Sequence, residues 1–376
     1  MRTVLITGAK DFIGKNLAEE LRRREGLAVR EFDFGDAPEK LNAGLRQADV
    51  IFHLASIYRP LHPGEYETGN VGLTRALVDE LERQGRHPLI IFESSIQAEL
   101  DNPYGQSKLK AERILKDYAE RHGAAVRIFR LAHVFGKWCR PNYNSVVATF
   151  CHNSTHNLAL AIADATAQLH LMYIGDVVKA GLAILEETAP AAGCRFLPVE
   201  PVYTATVGQL AELMKVFRDI RTRLILPDLS DRLMRCLYAT YLSYYDPGDL
   251  GYALDQKADQ RGRLAELLKS ESFGQIFVSR SRPGIVRGHH YHRTKIEKFI
   301  VIEGQACIRL QHIDTGQTVA YDIAGGDFKV VDIPPGYAHS IQNTGTTELI
   351  VLFWAGELFD AAAPDTYPYQ VGTSAP

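Results

Sequence analysis

The chain has 376 residues, with 42 Lys+Arg against 45 Asp+Glu, a net charge of −3 and 46% hydrophobic residues. That balance gives no ground for a nucleic-acid or membrane-surface partner, and no apolar run approaches the ~18 residues of a membrane span. At ~150 residues per domain the length predicts two domains or three, and five scattered cysteines argue for a reducing, cytoplasmic setting rather than a disulfide framework.

MRTVLITG runs straight into a glycine turn, without the apolar stretch and cleavage site of a secretory leader. Up to about Leu185, the runs TVLIT, ADVIFHLA, HPLIIFES and AAVRIFRLA read as buried strands. KNLAEELRRR, VGLTRALVDELERQ and SKLKAERILKDYAERHG carry apolar residues at helical spacing. The alternation predicts an α/β, Rossmann-like, doubly wound parallel sheet with helices on both faces.

The first strand leads through Thr7-Gly8-Ala9-Lys10-Asp11-Phe12-Ile13-Gly14 into a helix. A glycine-rich turn there lets the backbone approach a pyrophosphate, and the helix N-terminus supplies N–H groups. Asp11 stands where the usual pattern has its middle glycine. At the end of the second strand, Asp33 is placed to bind a ribose 2′-hydroxyl and to reject a 2′-phosphate, which favours NADH. Ser94 and Ser95 end LIIFESS at the carboxyl edge of the sheet, where such folds bind ligands. Tyr104 and Lys108 lie one helical turn apart on one face. A cation beside the phenol is expected to lower its pKa from ~10 and make it a usable proton donor. A lone Tyr-xxx-Lys is more often two surface residues; the turn and the strand-end serines favour the catalytic reading.

Thr204 to Tyr245 reads as helical with a break at LPDLSD, and SYYDPGDLGY supplies the boundary, giving domains 1–243 and 244–376. Beyond it, GQIFVSRS, KFIVIEG, ACIRLQHI, TVAYDI, FKVVDI, HSIQN and LIVLFWA are short strands without crossover-length helices, predicting an antiparallel sandwich or barrel. The terminal GTSAP reads as a frayed tail. Residues i and i+2 of a strand share a face, so His290 and His292 point inward together and His289 points away. Glu297 opens the next strand and His339 a later one. Three imidazoles and a carboxylate converging in a barrel suit one divalent metal; Zn, Fe, Mn and Ni all accept N and O ligands, with zinc the first choice.

The N-terminal half resembles the extended short-chain dehydrogenase/reductases at TGAKDFIG, His53-Leu54-Ala55-Ser56, Asn70, Ser95, Tyr104 and Lys108. The resemblance implies a nicotinamide site lined by Gly8, Asp11, Phe12, Ile13, Gly14, Asp33, Leu54, Ala55, Ser56, Tyr104 and Lys108. In it Tyr104 donates a proton to a carbonyl that Ser95 orients, while Lys108 holds the ribose and tunes Tyr104. The Ser95-to-Tyr104 gap is short for that group, so Ser94 stays open as the orienting serine. The C-terminal half resembles the two motifs of the cupins, with the glycine expected before Pro334 displaced to Gly325-Gly326. Asp259 to Glu266 resembles the DxRGxFxE segment of cupin-type deoxysugar epimerases, with Leu264 replacing the aromatic. By that likeness Arg261 and Glu266 touch a nucleotide-sugar; a charged solvent-exposed turn explains them equally well.

End to end the chain is similar to the CapF family of bacterial capsule and O-antigen synthesis, through HLASIYRP, SSIQAELDNPYGQSKLKAE, FGKWCRPNYNSVVATFC, HHYH and VVDIPPGYAH. This implies a homodimeric bifunctional enzyme acting on a UDP-linked 2-acetamido-2,6-dideoxy-hexos-4-ulose. The cupin would epimerise carbon 3 and the reductase domain would reduce the carbon 4 ketone. The product is UDP-2-acetamido-2,6-dideoxy-L-talose, on the way to UDP-N-acetyl-L-fucosamine. The family implies NADPH, but Phe34 stands where relatives carry a basic residue, which keeps NADH open. Tyr291, Lys295 and Tyr337 are candidate epimerising bases. Two other classes remain: a 4,6-dehydratase or 4-epimerase with a structural cupin, and an inactive sugar-sensing protein with a degenerate cofactor site.

Overall fold

Aliphatic runs without polar alternation are covered on both faces, and four of the six residues of the first strand, Val4 to Thr7, are buried. The computed structural model describes all residues except 63, 188–189, 256, 260–261, 265–273, 358–359, 361 and 373–376. The N-terminal elements are β1 (Arg2–Thr7), α1 (Phe12–Leu21), β2 (Leu27–Phe32), α2 (Pro38–Gln47), β3 (Val50–His53), α3 (Leu73–Gln84), β4 (Leu89–Ser95), α4 (Pro103–His122), β5 (Ala125–Leu131) and β6 (His133–Phe135). Then follow α5 (Val146–Thr155), β7 (Gln168–Tyr173), α6 (Ile174–Leu185), β8 (Gly193–Phe196), β9 (Tyr203–Thr206), α7 (Val207–Arg223) and α8 (Arg232–Leu242). Among the described residues no helix is long and apolar enough to cross a membrane.

Two compact units divide the chain: Met1–Ser145 with Gln168–Ala205, and Val146–Ala167 with Thr206–Pro376. In the first, six strands lie in the order β2-β1-β3-β4-β5-β8, all parallel. Strand residues alternate between faces. Leu5, Ile51, Ile90 and Val126 pack with Leu45 of α2, Leu77 and Leu81 of α3 and Leu115 of α4. Phe52, Ile91 and Phe129 face Leu17 of α1 and Val177 of α6. The strand order reverses between β1 and β3, the switch point at which doubly wound sheets bind ligands. The expected parallel α/β sheet is therefore the observed one.

Helix α4 is pinned at both ends. Asn102 Oδ1 accepts the Gly105 N–H at 2.8 Å, Pro103 occupies the first turn, and Gly123 closes the helix in the left-handed region. The N-cap fixes Tyr104 at the mouth of the sheet and Lys108 one turn deeper.

The second unit carries β10 (Gly251–Ala253), β11 (Lys257–Asp259), β12 (Gly262–Leu264), β13 (Gln275–Ser281), β14 (Val286–Tyr291), β15 (Glu297–Glu303) and β16 (Gln305–His312). It continues through β17 (Thr318–Ala324), β18 (Lys329–Ile333), β19 (Tyr337–Asn343), β20 (Leu349–Ala355) and β21 (Tyr367–Pro368). Two five-stranded sheets, β10-β18-β15-β20-β13 and β17-β16-β19-β14-β21, are antiparallel throughout. Phe299, Ile308, Leu310, Val331, Ile341 and Phe353 fill the core. This is the cupin-like architecture expected of the C-terminal half.

The contact units differ in extent from a cut at residue 243, because 146–167 and 206–242 cluster with the barrel. Side-chain chemistry explains the helical part. Arg221 of α7 lies 3.6 Å above the Tyr245 ring and pairs with Asp332 of β18 at 2.9 Å. Asp332 also takes Lys298 of β15 at 2.5 Å and is fully buried. Strand texture marks where the barrel begins; it carries no record of which helices pack with it.

Removing the shared carboxylate would leave two buried cations without their counter-charge. Asp332→Ala is expected to cost about 3–5 kcal/mol, read as a lowered C-terminal transition in calorimetry with cofactor binding by the N-terminal unit unchanged.

Candidate functional site

The carboxyl edge of the parallel sheet opens into a cleft of about 660 Å³. Its floor is the β1–α1 turn. Gly8 has φ +74°, and a Cβ there would come within 2.7 Å of the Ala55 backbone. A Cβ on Gly14 would sit 2.0 Å from the Gly8 carbonyl oxygen. Only glycine allows this approach. His53 anchors the turn from below: its two ring nitrogens lie 2.8 Å from Thr7 Oγ1 and 2.8 Å from Thr74 Oγ1. Burial pushes its pKa down to about 3, so the ring is a neutral strut rather than a titrating group.

Asp11, Phe12, Ile13, Leu54 and Ser56 line the cleft as expected. Asp33 lies at the end of β2, and its Oδ1 accepts the Lys10 N–H at 3.0 Å. Its Oδ2 is buried without a hydrogen-bond partner. Burial raises the pKa of Asp33 and also of Asp11, which the nearby Asp33 raises further. A buried carboxylate oxygen awaiting a donor, beside a turn that only glycines can form, fits the ribose and pyrophosphate of a nicotinamide dinucleotide.

Ser56, Ser95 and Tyr104 all open onto the cleft, where the two serine hydroxyls act to lower the Tyr104 pKa. The Ser94 hydroxyl instead donates to Glu112, which Arg130 also grips at 2.7 and 2.9 Å. That contact favours Ser95 over Ser94 as the orienting serine. Asn70, in a π-helical segment Tyr66–Gly72, accepts the Ile57 N–H at 2.7 Å and donates to Ser107 Oγ at 2.9 Å. It thereby holds the Ser56 loop against α4.

Lys108 departs from expectation. It is 1% exposed, lies outside the cleft lining, and donates to the Glu93 carbonyl oxygen at 2.6 Å. The Tyr104 pKa moves up, not down: burial acts first and the negative charge of Glu93 second. Glu93 itself is a functional candidate that the sequence analysis passed over. Two residues before Ser95 on the same strand face, it is buried in the cleft and accepts the Tyr58 hydroxyl at 2.7 Å. The Tyr58 ring lies 5.7 Å from that of Tyr104. A carboxylate inside the hydrophobic run LIIFESS was the available signal.

The second site lies in the barrel. His290, His292, Glu297 and His339 offer ligand atoms all within 4.8 Å of one another, the set expected from strand parity. Between Gly288 and His290, β14 carries a bulge: His289 is the extra residue, at φ +56°, and His290 falls directly opposite His339. His289 turns away and its Nδ1 accepts the Val371 N–H.

Backbone carbonyls set the ring tautomers. His292 Nδ1 donates to the Asp365 carbonyl at 2.6 Å and His339 Nδ1 lies 3.5 Å from the Tyr337 carbonyl. Both Nε2 atoms then face inward with lone pairs. They lie 3.1 and 3.4 Å from Glu297 Oε2, yet neither is aligned as a hydrogen bond, and both are buried without a hydrogen-bond partner among the described residues. Burial pushes the His290 pKa down to about 4 and lowers that of His339, keeping both rings neutral. Three imidazoles and a carboxylate with ligand atoms within 4.8 Å of one another, two of the ring nitrogens buried without a hydrogen-bond partner among the described residues, fit a divalent cation.

The candidate bases separate. Lys295 Nζ donates to the Pro364 carbonyl at 2.9 Å, the Tyr291 ring lies tilted against Tyr367 and edge-on to Tyr369, and burial pushes the Tyr337 hydroxyl up to about 12. Arg261 and Glu266 lie outside the described residues.

Comparison with known proteins follows this division. The NAD dependent epimerase/dehydratase family matches residues 4–193, and the Polysaccharide biosynthesis C-terminal domain matches residues 257–367. UDP-2-acetamido-2,6-beta-L-arabino-hexul-4-ose reductase of Pseudomonas aeruginosa is 42% identical, over 99% of this chain and 100% of the relative. The solved capsular polysaccharide assembling protein CapF from Staphylococcus aureus is 40% identical, with a TM-score of 0.66 over 98% of this chain and 100% of that one. UDP-glucuronic acid 4-epimerase from Bacillus cereus, at 20% identity and a TM-score of 0.51 over 57% of this chain, shares the fold.

Were Tyr104 the proton donor, it would have to hold its proton, and reduction would fall as pH rises through its pKa. Glu93→Gln removes a charge that raises this pKa. The alkaline limb of kcat/KM for ketone reduction is therefore expected at lower pH in the variant; an unmoved profile would leave Glu93 without a part in tuning Tyr104.

Proposed function

We propose, from the premise that this chain belongs to the CapF family of NAD dependent epimerase/dehydratase enzymes, that it is a bifunctional epimerase and reductase. The substrate is a UDP-linked 2-acetamido-2,6-dideoxy-hexos-4-ulose. Carbon 3 is epimerised in the barrel and the carbon 4 ketone is reduced in the cleft. The product is UDP-2-acetamido-2,6-dideoxy-L-talose, a precursor of UDP-N-acetyl-L-fucosamine. The observation that carries this reading is the coexistence of two chemically different sites in one chain, a tyrosine–serine pair on a dinucleotide cleft and a His₃Glu cluster in a barrel.

In the cleft, a nicotinamide cofactor held at the glycine turn would supply the hydride for carbon 4. Ser95 and Ser56 line the cleft beside Tyr104, and Tyr104 gives its proton to the oxygen of the carbon 4 ketone. A phenol at its ordinary pKa near ~10 is protonated at neutral pH, as proton donation requires, and the Tyr104 shift upward keeps it so. In the barrel, a divalent metal held by His290, His292, Glu297 and His339 would supply Lewis acidity beside the ketone. The C3 proton leaves and returns on the other face, with no net oxidation.

The two activities should separate. Tyr104→Phe is expected to lose ketone reduction by about 10²–10⁴-fold while solvent deuterium still enters carbon 3. His290→Ala is expected to do the reverse, losing exchange with cofactor binding intact. NMR of the keto-sugar without reduced cofactor reads exchange, and cofactor consumption reads reduction. Full exchange in His290→Ala would make the metal structural. Stoichiometric consumption of cofactor separates this reading from a dehydratase, a 4-epimerase or a sensor, none of which consumes it.

For the cofactor, family membership supports NADPH, whereas the open Oδ2 of Asp33 supports a ribose 2′-hydroxyl donor and hence NADH. Asp33→Ala removes a carboxylate that would repel a 2′-phosphate. The ratio of kcat/KM for NADPH over NADH is expected to rise; an unchanged ratio would mean that Asp33 does not meet the ribose.

A further inference from the structure

We propose that Asp365, beyond the last long barrel strand, is a positioning residue of the metal centre, holding the loop that joins ligands His292 and Glu297. The proposal rests on the metal reading of that cluster. Asp365 is not a ligand; it takes donors from consecutive residues just past His290. Its carbonyl oxygen accepts His292 Nδ1–H at 2.6 Å. Its Oδ1 accepts the Arg293 N–H at 3.0 Å. Its Oδ2 accepts the Thr294 N–H at 2.9 Å, the Thr294 hydroxyl at 3.0 Å and the Lys295 N–H at 2.7 Å. The carboxylate takes four donors from this loop, one on Oδ1 and three on Oδ2.

The loop needs such a partner. It lies between β14 and β15, outside the ladder of either sheet, so its N–H groups have no strand to bond. Asp365 has φ +38°, a left-handed backbone that Asp adopts more readily than most residues. The chain that follows keeps Asp365 in place. β21 pairs with β14, matching Pro368 to His290 and Tyr367 to Tyr291. The Tyr369 N–H donates to the His289 carbonyl at 2.8 Å. A strap from Asp365 to Tyr369 thus lies along the ligand strand, with its carboxylate at the point where ligand spacing is set.

The expected consequence is on metal affinity. Outer partners that hold a ligand in place are worth about 10–100-fold in affinity; Asp365→Ala keeps the carbonyl on His292 but removes the carboxylate that holds the loop carrying this ligand. The full-length chain, stripped with a chelator, is titrated with Zn²⁺ in competition with a chromophoric chelator, and with Co²⁺ for its visible absorption. Asp365→Ala is expected to bind Zn²⁺ about 10–100-fold more weakly and to change the Co²⁺ spectrum. Asp365→Asn, which tolerates the same backbone, is expected to lose affinity by a smaller factor. Asp327→Ala is the control. Asp327 Oδ2 accepts the Ala324 N–H at 3.0 Å in a turn of the same barrel, so its loss tests general loosening. Wild-type affinity in both Asp365 variants, or an equal loss in Asp327→Ala, overturns the proposal. If the wild-type chain itself binds neither ion, the metal reading falls and the proposal with it.

Discussion

A polar atom buried without a partner costs about 1–3 kcal/mol, and both sites of this chain are organised around such atoms. Asp33 Oδ2 lies beside the glycine turn; His292 Nε2 and His339 Nε2 face one another in the barrel. Each belongs to a side chain whose other polar atom is satisfied by backbone: the Lys10 N–H, the Asp365 carbonyl, the Tyr337 carbonyl. One end is fixed, and the other is kept for something the folded chain does not itself supply. That arrangement is costly in isolation and becomes favourable with a ligand bound, so the surrounding elements are shaped to maintain it.

Much of this was legible in the sequence. Buried strands announce themselves as uninterrupted Val, Ile, Leu and Phe, and the parallel sheet followed from their alternation with amphipathic helices. The glycines of the turn are forced by backbone contacts that no side chain survives. The four clustered residues could be gathered from strand spacing, and parity also set His289 aside, although in the structure a bulge turns it away. These are local rules, and they carry over directly into space.

What was not legible depends on neighbours distant in sequence. Glu93 reads as one acid in a hydrophobic run; its weight comes from Tyr58, Tyr104 and Lys108 converging on it from other elements. The sign of the Tyr104 shift was misjudged for the same reason. Helical spacing brings Lys108 near, but burial and an unanticipated carboxylate dominate. Asp365 lies about 70 residues from the loop it holds, in a stretch rich in Pro, Asp and Tyr that carries no motif. The grouping of α5, α7 and α8 with the barrel likewise rests on packing and on Arg221, not on any change of composition.

The bulge at His289 has a consequence for how this barrel can vary. It sets His290 opposite His339 by inserting one residue into β14, so the cluster is defined by count as much as by side-chain identity. Point substitutions around it alter polarity or fit. A single-residue deletion in β14 before His290 would instead rephase everything upstream of the ligands against β19 and turn the alternate faces over. Length drift should therefore be confined to the turns of this barrel, with the 289–297 stretch held to fixed spacing even where its non-ligand residues change.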